Sequence, residues 1–239
     1  MSRENLLATT LVELADTLVT EFDALDFMHT LTQRSVELLE ADAAGVILVD
    51  PRGRLQVMAS THHQAQVLEA FQIQNDEGPC QECCRTGQSL VNLDLDEVAE
   101  RWPLFWAAAR DAGFRSTHAV PMRLRNEVIG ALNLFCADRV ALVPADVSLA
   151  QAMADIATIG LLQERVVRKQ ELLSEQLQNA LNSRVLIEQA KGILAERASL
   201  EIDEAFELLR SYSRRVRRPL TAVARAVIQG EIDEATVRG

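Results

Sequence analysis

After Pro144 the chain runs to about Arg197 without another proline or a glycine-rich break. No other feature restricts folding as much, because a helix is the regular element that tolerates such a length. Apolar residues recur at Leu149, Met153, Ile156, Leu162, Val166, Leu173, Leu177 and Leu181, mostly in steps of three, four or seven, with Gln, Glu, Arg and Lys between them. That spacing predicts a long amphipathic helix with partial coiled-coil character. Lys169, Gln170 and Gln176 interrupt a strict seam, so the coil is expected to be short. An apolar stripe on so long a helix needs a cover. The reading favours a parallel dimer over packing on the chain's own domain.

Charge divides the chain in the same place. The protein has 239 residues and a net charge of -11, which argues against nonspecific nucleic-acid binding by the whole chain. Asn182 to Gly230 nevertheless carries 9 basic and 6 acidic residues, a net of +3, whereas the residues up to Leu181 carry a net of -12. A basic segment joined to an acidic one suggests separate binding and sensing halves.

Before the long helix the period of the pattern changes repeatedly. Leu6 to Leu39 reads as one or two helices, with Leu11, Leu14, Ala15 and Leu18 at helical spacing. Ala44 to Val49 and Leu55 to Ala59 are short apolar runs around Pro51-Arg52-Gly53, a hairpin signal. His62 to Gln72 reads as a helix, Gly78-Pro79 to Gly87 as a cysteine-bearing turn, and Leu90 to Leu93 as a strand. Trp102 to Ala112 is a helix closed by Gly113. Thr117 to Leu124 and Val128 to Phe135, split by Arg125-Asn126-Glu127, form a second hairpin suited to the centre of an antiparallel sheet. The fold class is α+β.

Beyond Arg197 two shorter helices are expected. Asp203 to about Val216 has acidic residues at its start and Arg214, Arg215, Arg217 and Arg218 at its end, matching the helix dipole. Pro219 suits the first turn of the next helix. Leu220, Val223, Ala224, Val227 and Ile228 supply its buried face, and Gly230 ends it.

Three blocks in this region carry a family resemblance. Ser183-Arg184-Val185-Leu186-Ile187-Glu188-Gln189-Ala190-Lys191-Gly192-Ile193-Leu194 resembles the first helix of the ANTAR domain. Ala205-Phe206-Glu207-Leu208-Leu209-Arg210-Ser211-Tyr212-Ser213 resembles the second, and Leu220-Thr221-Ala222-Val223-Ala224 with Val227-Ile228 the third. Residues from about Glu21 to Gln163 are similar to a GAF domain, as found fused to ANTAR in actinobacterial regulators. The pieces are Glu77-Gly78-Pro79-Cys80, Arg85-Thr86-Gly87, Arg101-Trp102-Pro103-Leu104-Phe105, Gly113-Phe114-Arg115-Ser116, Ala119-Val120-Pro121-Met122 and Ile129-Gly130-Ala131-Leu132-Asn133-Leu134-Phe135.

The resemblance implies a sensor domain over residues 1–163, a coiled-coil linker helix over 164–181 and a three-helix ANTAR bundle over 182–239. It further implies a transcription antitermination regulator. Such a protein binds paired RNA hairpins in nascent transcripts, which prevents a terminator from forming. The ligand does not follow from the resemblance, because GAF domains bind many different small molecules or none; the cofactor is left unknown, with a small-molecule GAF ligand as the option. The expected assembly is a homodimer, which doubles a basic surface of only +3.

The residue types that suit RNA are Arg184 and Lys191, seven apart and so on nearly one helix face, and Arg210, Tyr212, Ser213 and Arg214 on the next helix. Arginine pairs bidentately with phosphate or stacks under a base. Tyr212, the only tyrosine, offers a stacking face. Gly192 is read as permitting close helix packing, since glycine inside a helix costs about 1 kcal/mol.

In the sensor, Met58, Phe71, Cys80, Phe105, Phe114, His118 and Asn133 are candidate ligand-pocket residues. Cys80, Cys83 and Cys84 have three readings: a redox switch with Cys80 activated at a helix start, part of a metal site lacking a second CxxC, or small buried apolar residues. No metal site is assigned. Four cysteines, three of them close together, do not form a secreted disulfide framework. The N-terminus has no signal pattern, and no apolar run approaches the roughly 18 residues of a membrane span. A cytoplasmic protein that engages no membrane is expected. No catalytic triad, phosphate-gripping glycine loop or paired-carboxylate site stands out, so the chain reads as a regulator and not an enzyme. The alternative is a redox- or ligand-sensing regulator acting through a protein partner or DNA.

Overall fold

A computed structural model describes residues 2–17, 23–125, 127–138 and 141–238. Leu18, Glu21 and Asn126, used above, lie outside the described residues. The chain divides within one helix into two compact units, residues 1–165 and 166–239.

The first unit is built on a five-stranded antiparallel sheet in the order β2-β1-β5-β4-β3. The strands are β1 (Ala43–Val49), β2 (Leu55–Ser60), β3 (Leu90–Asp94), β4 (Ser116–Leu124) and β5 (Glu127–Cys136). Both hairpins expected from the turn residues are present, β1 with β2 and β4 with β5. β5 pairs with β1 on its other edge, bringing Val46 opposite Leu132, so the second hairpin supplies the middle of the sheet.

Helices cover both faces, which is why β1, β4 and β5 are nearly continuous buried runs. Against one face pack α1 (Arg3–Thr17), α2 (Ala24–Leu39) and the first turns of α6 (Pro144–Ala198). Phe27, Met28 and Leu31 from α2 and Met153, Ala154 and Ala157 from α6 meet Val120, Leu132 and Leu134 there. Against the other face lie α3 (His63–Asn75), α4 (Pro79–Thr86) and α5 (Pro103–Asp111).

The cysteine segment, read as a turn, is the helix α4. Pro79 begins it where its missing N–H costs nothing, and Gly87 ends it in the left-handed region at φ 66°. Two pieces of the family match meet at its start. The Glu77 carboxylate accepts from the Leu104 and Phe105 N–H groups at 2.6 and 3.0 Å. It therefore caps α5, whose own preceding residue, Trp102, makes no side-chain cap.

α6 is one unbroken helix of 55 residues. It contains an 18-residue window of mean hydropathy 1.3, apolar and long enough by composition to cross a bilayer. Ala150, Met153, Ala154, Ala157 and Leu161 of α6 are buried in the first unit's core, as in the core helix of a globular domain. Further along, Val166, Leu172, Leu173, Leu177, Leu181 and Val185 are exposed.

The second unit packs the end of α6 with α7 (Ile202–Arg215) and α8 (Leu220–Ile228). Its core joins Ala190 and Leu194 to Ala205, Leu209, Val223, Ala224 and Val227. Glu201 and Glu204 form a capping box at the start of α7. Pro219 is the residue before α8 rather than its first turn. A short helix not anticipated from the sequence, α9 (Glu234–Arg238), follows Gly230, and Ile232 and Val237 close the core.

Candidate functional site

The basic residues of the second unit fall into two groups. Arg184, Arg214, Arg217, Arg218 and Arg225 are exposed. Arg168, Lys169, Arg197 and Arg210 are exposed as well, while Lys191, Arg215 and Arg238 bond within the unit. Arg215 donates to the Thr236 and Val237 carbonyls at 3.0 and 3.3 Å, and Arg238 to the Ala198 carbonyl at 3.0 Å. These bonds pin α9.

The six residues expected to meet RNA divide likewise. Arg184 and Arg214 are exposed, and Arg210 is exposed beside Glu207 at 3.5 Å. Lys191 is not a free cation. Its side chain is 12% exposed, its Nζ donates to both Glu188 carboxylate oxygens, and it sits 5.4 Å from the Phe206 ring centroid. Ser213 is withdrawn altogether. It is buried, and its hydroxyl donates to the Arg218 carbonyl at 2.6 Å, closing the turn after α7. Tyr212 is half-buried under the Arg215 guanidinium at 5.1 Å, leaving one face occupied. Gly192 does not serve helix packing, because a Cβ built there meets nothing within 4 Å. The pattern of the three blocks fixed these residues on helices, but not which way each turns.

In the first unit the seven candidate pocket residues do not converge. Met58 packs on the α2/α6 side of the sheet, and His118 alternates with Val120 and Met122 of that same core. Phe105 and Phe114 belong to the cluster around α5, while Cys80 sits between α4 and the sheet. Phe71 lies in an outer groove with Val67 and Ala108. His118 is a structural residue. Its Nδ1 accepts from the Asn92 N–H at 2.9 Å, so the neutral ring carries its proton on Nε2, and burial lowers its pKa to about 4.

Asn133 and Cys80 do meet, at a residue that sequence reasoning missed. Glu69 of α3 is fully buried. Its Oε1 accepts from Asn133 Nδ2 at 2.8 Å, and Cys80 lies close enough for the two groups to affect each other's ionisation. Gln72, one turn on, accepts from the Cys80 N–H at 3.1 Å. With no cation beside it among the described residues, burial lifts the Glu69 pKa to about 7. Glu69 Oε2, Gln72 Nε2 and Asn133 Oδ1 have no hydrogen-bond partner among the described residues. The backbone is shaped to this cluster: a side chain at Gly45 would strike the Glu69 carboxylate, and one at Gly78 the Gln72 amide. A glutamate in a polar helix gave no signal of burial in the sequence.

All four cysteines are free. Cys80 stands at the start of α4, yet burial dominates and raises its thiol well above the ordinary value, with Glu69 adding to the effect. Burial likewise raises Cys83, and lifts Cys84 to about 12. An activated thiolate is therefore not what this helix start provides. The cysteines act as small core residues. Among the described residues no group of His, Cys, Asp or Glu is arranged for a metal ion.

A GAF domain family model matches residues 23–162 and an ANTAR domain model matches residues 175–228. No curated protein matches the chain. Among solved structures it is similar to the GAF domain of an Acinetobacter phosphoenolpyruvate-protein phosphotransferase, with 15% identity, a TM-score of 0.54, and 70% of this chain and 98% of that one covered. A phycoerythrobilin-bound GAF domain from a cyanobacterial phytochrome gives 13%, 0.52, 70% and 98%. A GAF domain/HD domain protein from Geobacter sulfurreducens gives 21%, 0.51, 60% and 95%. These identities speak for a shared fold.

Proposed function

We propose that this chain, which belongs to the GAF domain family and carries a C-terminal ANTAR domain, is a signal-responsive RNA-binding regulator of transcription antitermination. The observation that carries the reading is the ANTAR match at residues 175–228, which overlaps the net-positive segment Asn182 to Gly230. In this proposal Arg184, Arg210 and Arg214 supply the cations for paired hairpins in a nascent transcript. Lys191, Tyr212 and Ser213 hold the helices that present them. The chain acts by binding rather than by catalysis, in the cytoplasm and away from membranes.

A homodimer completes the reading. Val166, Leu173, Leu177 and Leu181 are exposed and share an arc of about 80° at 100° per residue. That stripe suits a second copy of α6 and doubles the basic surface. The GAF unit is the sensor, and a signal acts on output only by favouring one state of the chain over another. In this reading the buried Glu69–Gln72–Asn133 cluster, with its unpartnered polar atoms, is the candidate contact for a small polar ligand. The redox alternative loses its main support with the raised thiols.

The test is a selection from RNAs with two hairpins and randomised loops, using the full chain. The expected result is an enriched loop sequence whose affinity falls with salt and with Arg184→Ala, and which duplex DNA of the same sequence does not displace. Enrichment of nothing, or displacement by the duplex, would count against RNA and favour the protein-partner or DNA reading.

A further inference from the structure

The second unit has a cleft that none of the candidate RNA residues line. It has a volume of about 280 Å³, and its lining includes Arg218, Ala222, Arg225, Ala226, Gln229 and Glu231. That lies just below the roughly 300–1,000 Å³ of pockets for drug-sized ligands, a size for one flat ring system. Ala222 and Ala226 are one turn apart on α8, and Ala226 is buried, so part of the lining carries only methyl groups. Arg218 and Arg225 are exposed, and neither side chain has a hydrogen-bond or ion-pair partner among the described residues.

The mixture of charges narrows the ligand. Two guanidinium groups and one carboxylate share the cleft, so a free phosphate or other small anion would meet Glu231 as well as the arginines. A nucleotide within a strand presents both kinds of partner. Its phosphates suit arginine, its flat base can lie on the Ala222 and Ala226 methyl groups, and the N–H groups on the base edge donate to a carboxylate or amide oxygen. In RNA such bases are exposed in loops, where they are unstacked. We propose that this cleft receives one unstacked base of an RNA loop, with Arg218 and Arg225 on the flanking phosphates and Gln229 and Glu231 reading the base edge. The inference rests on the RNA-binding reading above and adds a base-specific subsite to it.

The experiment uses the full chain and the RNA enriched from the two-hairpin pool. Arg218→Ala and Arg225→Ala each weaken binding about tenfold and flatten the salt dependence by about one unit of slope. Ala222→Leu fills the cleft, so it weakens binding about tenfold with the slope unchanged, and Ala222→Met repeats the measurement if the leucine variant does not fold. Glu231→Gln changes the base preferred at one loop position when the selection is repeated. An abasic residue at that position weakens wild-type binding and has no further effect on the filled variant. Wild-type affinity in Arg225→Ala and in the filled variant, with RNA still bound, overturns the cleft alone. Failure of the wild-type chain to enrich any RNA overturns the RNA reading and the cleft with it.

Discussion

Replacing Glu69 with glutamine isolates the cost of a carboxyl group buried without a cation. Burial raises its pKa from the ordinary 4.5 to about 7, so between those values the folded unit holds a proton that the unfolded chain releases. The stabilisation from that proton is complete below about pH 4.5 and is lost as the pH rises through 7. At about 1.4 kcal/mol per pKa unit, the loss is on the order of 3 kcal/mol. His118 acts in the opposite sense. Its pKa falls from 6.5 to about 4 on burial, so the stability it contributes above pH 6.5 is lost as the pH drops through 4. Over the shared range the two slopes nearly cancel, and the wild-type profile alone shows little. The difference between Glu69→Gln and wild type removes the histidine and exposes the glutamate. That difference is near zero at pH 4.5 and grows to about 3 kcal/mol in favour of the variant at pH 8. Urea unfolding followed by tryptophan fluorescence measures it, because Trp102 and Trp106, the only two tryptophans, both lie in the first unit. At pH 8 the variant's melting temperature rises by roughly 6–12 °C for a unit of this size. Equal differences at pH 5 and pH 8 would refute the claim that this carboxyl titrates.

Gly192→Ala stabilises the second unit by about 0.5–1 kcal/mol, since the added methyl meets nothing and an exposed helical glycine is costly; a fall in its thermal midpoint by circular dichroism would contradict this. Ser213→Ala removes the bond to the Arg218 carbonyl and destabilises the same unit by about 1–2 kcal/mol, read from Tyr212 fluorescence, with RNA affinity of the folded protein maintained. Leu173→Asp with Leu177→Asp yields a monomer by sedimentation while the tryptophan unfolding curve of the first unit stays in place; an unchanged mass would place the dimer contact elsewhere. Cys80 and Cys83 resist a thiol-specific reagent in the native protein at pH 8 and react once urea unfolds it; rapid native reaction would restore the redox reading.

Much of the architecture could be read from local pattern. Pro51-Arg52-Gly53 between two apolar runs announces β1 and β2, and the lack of a break after Pro144 announces α6. What escaped depends on partners distant in the chain. Glu69 is buried because Asn133, 64 residues away, donates to it, and nothing on α3 itself distinguishes it from a solvated glutamate. Lys191 turns toward Phe206 and Ser213 toward Arg218 through packing that motif spacing does not encode. α9 has only five residues, too few for a periodic signal. In α4 the missed helix did have its markers, Pro79 at the start and Gly87 at the end, but eight residues between two punctuating positions look equally like a turn.

The uncovered stripe of α6 also bears on how the protein responds to its own abundance. Large aliphatic side chains from Val166 to Val185 stand in water in a single chain, and a contact between copies hides them only as often as copies meet. Where pairing is weak, the number of pairs follows the square of the amount present. Halving expression would then leave a quarter of the pairs, and a modest change in synthesis would give a disproportionate change in output.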